Sequence, residues 1–364
     1  MKYSVLSIAL LILTIILPGQ SMAKADWPFP VYLSPAAPDT LTAPVMEQEA
    51  FWKDVPASKD MVLFKAPFGK QSGVHGDGVT PAAGTSFKAL YNANGLFIRV
   101  DCSEPAASTL DFSNHGKPYD SSAAFSTPVV EVFLDPAFTR KHAAHLAANV
   151  NATHFDRLDE KVTWNYPFQT KILPWENKQG YVIFFFVPWL ETTNENPNSG
   201  YLFTINQTSH AVIGFNVARE RNLENRELSQ WSVTKRTFLQ PEFFGALVLS
   251  ELPSAEERMM TLFTDTIIQY GIDFQGVEGS CAASLLSKIL RNKINSTEAV
   301  LKTLGKSTEA AAFVNEITKL RSEIAKGAED IEVLKQHVTA AISLYKRINE
   351  FSFQKLKNEI FDEI

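Results

Sequence analysis

The stretch Thr127-Pro128-Val129-Val130-Glu131-Val132-Phe133-Leu134-Asp135-Pro136 decides how the rest of this chain is read. Its alternation sends Val130, Val132 and Leu134 to one face of a β-strand and Glu131, Phe133 and Asp135 to the other. An acid in the middle of such a strand is costly to bury alone. Glu131 therefore stands at an open rim, is held by hydrogen bonds, or occupies one solvated position on an outer sheet face. The first two readings make it a candidate ligand contact.

Working outward, further short β-prone runs lie at 87–90, 96–102, 145–150, 181–187, 212–219 and 246–249, separated by turn signals. Asn94-Gly95, between two of them, is a hairpin signal because both residues tolerate positive φ. Many short strands without helical period between them predict an antiparallel β-sandwich over residues 45–252. Residues 24–44, rich in proline and alanine, read as an extended leader.

The pattern changes at Pro253. From residue 255 to 364 apolar residues take helical spacing, most clearly at Phe313, Ile317, Leu320, Ile324, Gly327, Ile331, Leu334, Val338, Ala341, Tyr345 and Ile348. Steps alternating between four and three make a heptad seam, and Gly327 reads as a helix stop followed by a restart. The tail is expected to be an α-helical bundle or hairpin, with further helices near 256–270 and 280–303. The alternative use of such a seam is self-association, which would make the chain a homo-oligomer through its tail.

Lys2, the apolar run 6–17 and the small residues Ser21, Met22 and Ala23 have the layout of a secretory signal peptide over 1–23, and the run is short for a membrane span. A secreted or periplasmic protein with no membrane span after signal removal is expected. The remaining length, about 340 residues, suits two domains. A formal charge of -6 provides no general basic surface for nucleic acid. Cys102 and Cys281 are the only cysteines, either bridged across the two domains or buried separately as small hydrophobes. There is no Cys-x-x-Cys, Gly-x-Ser-x-Gly or His-Glu-x-x-His, and no second carboxylate stands out opposite Glu131 for glycoside hydrolysis. Binding without catalysis is the economical reading.

The order of several segments resembles the family 9 carbohydrate-binding modules. These are 47–56 (Glu-Gln-Glu-Ala-Phe-Trp-Lys-Asp-Val-Pro), 88–105, 129–136, 180–189, 214–221, 227–232 and 241–249, and together they span about residues 40–250. The resemblance implies a β-sandwich related to the DOMON fold, with a saccharide or polysaccharide as partner and a place in carbohydrate catabolism, as an accessory to glycoside hydrolysis. It implies that two aromatic rings clamp a sugar while a carboxylate bonds to its hydroxyls, a pairing suited to a pyranose with an apolar face and a polar rim. Carried over to this chain, the rings are Phe125 and Trp231 and the acid is Glu131; Asn149 and His154 fall at the cleft rim. Phe125 stands where the family prefers tryptophan, and Thr127 and Pro128 occupy two usually acidic positions. The family's structural calcium would fall on Asp101, Glu104 and Asp135. DOMON relatives also include haem and redox domains, which use histidine or methionine axial ligands, but few methionines lie inside the sandwich, Met46 and Met61 both falling near its start; a scaffold in the cell envelope with a degenerate sugar site is a further alternative.

Other residues are weighed by their spacing. His142 and His145, three apart on a strand, point to opposite faces and do not suit one metal. Arg219 and Arg221 share a face, either to bond sugar hydroxyls or to form an ion-pair ladder with Glu220, Glu224 or Glu227. Trp52, Trp164 and Trp189 read as packing residues, and Trp175 as a loop aromatic that would extend a binding surface.

Overall fold

The stretch around Glu131 forms the strand β5 (Val129–Asp135), and Val130, Val132 and Leu134 do point into a core while Glu131 and Phe133 face the other way. The computed structural model describes residues 28–64, 81–116, 121–189, 211–223, 226–264, 273–305, 307–326 and 330–362. The signal segment, the first residues of the leader, Glu224 and Gly327 lie outside these described residues.

Two sheets stack on each other. The larger, nine-stranded sheet contains β1 (Pro28–Ser34), β2 (Val62–Leu63), β5, β6 (Ala144–Asn149), β7 (His154–Leu158), β10 (Val212–Arg221), β11 (Glu227–Gln230), β12 (Gly245–Leu249) and β13 (Asp273–Gly279). Its order is β13-β1-β12-β10-β5-β6-β7, with β11 on the free part of β10 and β2 on β11. The smaller sheet is β3 (Thr85–Tyr91), β4 (Gly95–Ser103), β9 (Gly180–Pro188) and β8 (Gln169–Pro174), in that order. Between the sheets lies an aromatic core that includes Tyr32, Phe87, Trp164, Tyr166, Phe168, Tyr181, Phe185, Phe215 and Trp231.

The seven strands anticipated from alternation are all present. The stretch read as a leader differs: Pro28–Ser34 is built into the sheet as β1, running parallel to both β12 and β13. Parallel partners need long connections, and here almost the whole chain separates β1 from its neighbours, so no local turn signal announces the pairing. Tyr32 on β1 ties the sheets together, donating through its hydroxyl to Pro56 O and accepting from Ala89 N. The hairpin between β3 and β4 forms, but without positive φ at Asn94 or Gly95. Gly95 is needed for closeness instead, since a Cβ there would lie 2.4 Å from Val187 O. Asn92 stitches the turn, accepting from Asn94 N and donating to Pro38 O and Leu41 O.

After the sandwich come the helices α1 (Ala255–Thr261), α2 (Ala283–Thr303), α3 (Thr308–Ile324) and α4 (Ile331–Asp362). The heptad seam is split between α3 and α4, where Phe313 meets Phe351 and Arg347 pairs with Glu316. None of the described helices is long and apolar enough to cross a membrane. Strand β13 interrupts the helical region, where the residue pattern predicts no strand, because its two glycines and single apolar pair hide the alternation. Buried faces of α1, α2 and α4 cover Phe29, Val31 and Leu33 of β1 and Ala246 and Val248 of β12. Cys102 lies in the inter-sheet core and Cys281 among the helices, both as free buried thiols.

Gly279 closes β13 at φ +80°, and a Cβ there would stand 2.2 Å from Leu33 O. Gly279→Ala is expected to cost roughly 2 kcal/mol or more in urea unfolding, from backbone strain and displacement of β1 together. A loss below about 0.5 kcal/mol would show that β13 does not seal this edge.

Candidate functional site

Cross-strand pairing arranges the outer face of the larger sheet in three rows. Leu228, Glu220, Val129 and Asn149 form the first, and Gln230, Ala218, Glu131, Ala147 and Phe155 the second. Asn216, Phe133, His145 and Arg157 form the third. Glu131 is thus flanked on both neighbouring strands by alanine, the smallest side chain with a Cβ. Phe125, half-buried on the 3₁₀ turn Ser122–Ser126, reaches the same face and packs edge-on to Phe155 at 5.2 Å.

Glu131 is neither at an open rim nor solvated: it is 3% exposed, as is His145. His145 Nε2 lies 2.7 Å from Glu131 Oε2, while its ring stacks on Phe133 at 4.5 Å and meets Phe155 at 5.4 Å. The contact is out of line for a hydrogen bond, and Glu131 Oε1 and His145 Nδ1 also have no hydrogen-bond partner. Burial pushes the Glu131 carboxyl up to about 8, against the pull of the Arg157 charge. Burial lowers His145 to about 3, and Arg157 adds to the fall. Near neutral pH the acid keeps its proton and the imidazole is uncharged, as expected for a pair taken out of water. Glu220, missed in the sequence as a second acid, is raised by burial and then by the Glu131 charge. Its Oε2 accepts from Asn222 Nδ2 at 3.3 Å and Arg226 at 3.2 Å. His145 and Arg157 were also missed as partners of Glu131; their alternation with apolar residues on β6 and β7 was the available signal.

The structure brings together only part of the anticipated constellation. Phe125 and Glu131 share the outer face. Asn149 lies at its edge as a turn residue, accepting from Asn151 N and Thr153 N and donating weakly to Ala123 O, which fixes the segment that carries Phe125. His154, Arg219 and Trp231 point the opposite way, into the sandwich. His154 stacks on Phe168 and contacts Thr170 Oγ1 at 2.6 Å, and burial lowers it to about 4. Trp231 packs edge-on against Phe87 and Phe215. Arg219 donates to Thr85 Oγ1, Ser103 O and Glu104 Oε2, over the ring of Tyr181. The anticipated ladder exists in altered form, because Arg221 pairs with Glu104 and Glu227 while Glu220 belongs to the other face. A clamp between Phe125 and Trp231 around Glu131 is not formed, since a pleated strand separates its members by the thickness of the sheet. Trp175 rests on Gly180, where a Cβ would come within 2.6 Å of its ring.

The residues that the resemblance nominates for calcium do not fit one ion. Asp101 is paired with Arg99, Glu104 with Arg219 and Arg221, and Asp135 accepts from Thr139 Oγ1 and Arg140 N. Among the described residues no group of three or more His, Cys, Asp or Glu is placed to hold a metal. Met46 lies under the outer face of the smaller sheet and Met61 in the inter-sheet core, so they do not face a common haem.

No family model and no curated protein matches the chain. It is similar to solved structures of a family 9 carbohydrate-binding module from Caldicellulosiruptor kristjanssonii. In complex with cellotriose that module is 16% identical, the match covering 60% of this chain and 92% of the module at TM-score 0.38. In complex with glucose it is 18% identical, with 60% and 94% covered at TM-score 0.37. A Bacteroides uniformis protein provisionally assigned as carbohydrate-binding is 9% identical, with 60% and 98% covered at TM-score 0.41.

The folded value of Glu131 lies above the ordinary 4.5, so its contribution to stability is present at low pH and is lost as pH rises through about 8. His145 and His154 act oppositely, their contributions being lost as pH falls below the ordinary 6.5. Glu131→Gln, which cannot ionise, is therefore expected to gain on the parent protein by about 1 kcal/mol per pH unit between pH 6 and 8 in urea melts. A difference that does not change with pH would refute the buried, protonated state of Glu131.

Proposed function

We propose that this is an exported carbohydrate-binding protein that holds a saccharide on the outer face of its larger sheet without turning it over. The observation that carries the reading is Glu131 Oε1, buried between two alanines with no hydrogen-bond partner, with the rings of Phe125 and Phe155 packed around its neighbour His145. Buried polar atoms are nearly always satisfied, and a carboxyl left with spare capacity next to half-buried rings matches a pyranose, whose apolar face stacks and whose hydroxyls need partners. The segment order resembling family 9 modules supports the same class of ligand. In this reading Phe155 takes the place anticipated for Trp231, and Asn149 acts by positioning Phe125.

Export rests on the signal-like residues 1–23, and a mature protein beginning near Ala23 in intact-mass analysis is the corresponding outcome. The tail is proposed to pair two copies. Its heptad seam is used internally, and Phe353, Leu356 and Phe361 on the last turns of α4 are exposed instead. Replacing these three by serine is expected to halve the mass measured by light scattering; a monomeric parent protein would remove this part of the proposal.

Calorimetric titration against mono- and oligosaccharides tests the central reading. Glu131→Ala and Phe125→Ala are each expected to weaken binding by about tenfold or more, while Trp231→Phe, altered only in the core, leaves affinity within about twofold in the folded fraction. Absence of binding at millimolar saccharide, or affinity untouched by Glu131→Ala, would sink it.

A further inference from the structure

Resting on the carbohydrate reading, we propose that the ligand carries a carboxylate, as in a uronic acid or its oligomers, and that this group is seated on Arg157 beside Glu131 and His145. The groups on this face that lack partners are mainly donors. Arg157 Nε and Gln230 Nε2 are buried without an acceptor, and neither ring nitrogen of His145 has an aligned partner, although a neutral imidazole carries one N–H. Gln230, on β11, is sealed under the aromatic cover of Phe64, Phe238 and Phe244, whereas Arg157, on β7 at the opposite side of Glu131, keeps 26% of its side chain exposed and is the donor open to a ligand.

The acids nearby do not meet this demand. Glu220 is occupied by Arg226 and Asn222. Glu160 stands 3.9 Å from Arg157 with its side chain 93% exposed, a pair weakened by water and salt. A neutral sugar hydroxyl brings a proton of its own for every acceptor it offers, whereas a carboxylate brings acceptors only. The planar guanidinium of Arg157 matches a carboxylate fork with two parallel hydrogen bonds, and a single anion satisfies the cation and its neighbours together. Burial keeps the proton on Glu131 up to about pH 8, so at neutral pH this acid, hydrogen-bonded to Glu220, brings no charge that would repel an incoming anion. The other titratable or charged groups facing Glu131 are His145 on β6, Arg157 on β7, Glu220 on β10 and Arg226 in the turn after it.

The test is calorimetric titration of the mature chain with galacturonate and oligogalacturonate, glucuronate, and the neutral counterparts galactose and glucose with their oligomers. The expected result is at least about tenfold tighter binding of the acidic member of each pair. Arg157→Gln should remove that margin with little effect on the neutral sugar, and Arg157→Lys should restore part of it. Raising the pH from 7 to 9 should weaken uronate binding in the parent protein, as Glu131 gains a negative charge, but not in Glu131→Gln, whose amide stays neutral. Melting curves of each variant separate lost binding from lost folding. Equal or tighter binding of the neutral sugars, or an acidic preference unchanged in Arg157→Gln, overturns the carboxylate inference while leaving the carbohydrate reading in place. Failure of every sugar, acidic or neutral, overturns both.

Discussion

A β-strand presents each side chain to one face only, and in β10 this constraint separates two charged neighbours into different chemistries. Arg219 enters the sandwich, where Glu104, Ser103 and Thr85 receive its guanidinium. Glu220, one residue on, lies outside beside Glu131. Burial opposes the charge on Glu104, yet Arg221, the Ala106 amide and Arg219 hold its carboxyl below the ordinary value. The inner network therefore stays ionised and fastens β10 to the far end of β4, while the outer cluster, poorer in partners, is forced towards uncharged forms. Removing one member of the inner network would leave a buried charge alone, a loss of roughly 3–5 kcal/mol.

The outer face of the larger sheet is divided in the same way. Over β1 and β12 it is apolar and is covered by the helices, so the tail completes the sandwich rather than hanging from it. Over β10 and β11 the cover is aromatic, with Phe64, Phe238 and Phe244 gathered around Phe133 and Ala218. Glu131 lies at the margin of that cluster, between Ala147 and Ala218, with the half-buried rings of Phe125 and Phe155 on the side of His145. The low exposure of Glu131 follows from this surround, and the same desolvation that neutralises it makes any hydrogen bond formed there stronger than one in water.

Much of this architecture was legible in one dimension. Strict alternation in Val129–Asp135 determined which residues of β5 enter the core, and the change at Pro253 marked where strands give way to helices. Glu131 stood out because an acid among β-branched residues conflicts with its surroundings. The helix stop at Gly327 likewise announced that the heptad seam is split, whereas the parallel placement of β1 and the strand β13 were decided by contacts between segments hundreds of positions apart, for which no local pattern exists.

The candidate site shows the same division. From sequence alone, Glu131 and Phe125 could be placed together because they are close in the chain and their side depends only on local pleating. Trp231, Arg219 and His154 could not, since a shift of one residue in register sends a side chain through the sheet, and register is set by pairing with other strands. His145, Arg157, Glu220 and Gln230 come to Glu131 from four strands. Only the tertiary structure decided that meeting, and with it the protonation state of the acid, because burial is a property of what surrounds a residue and not of the residue itself.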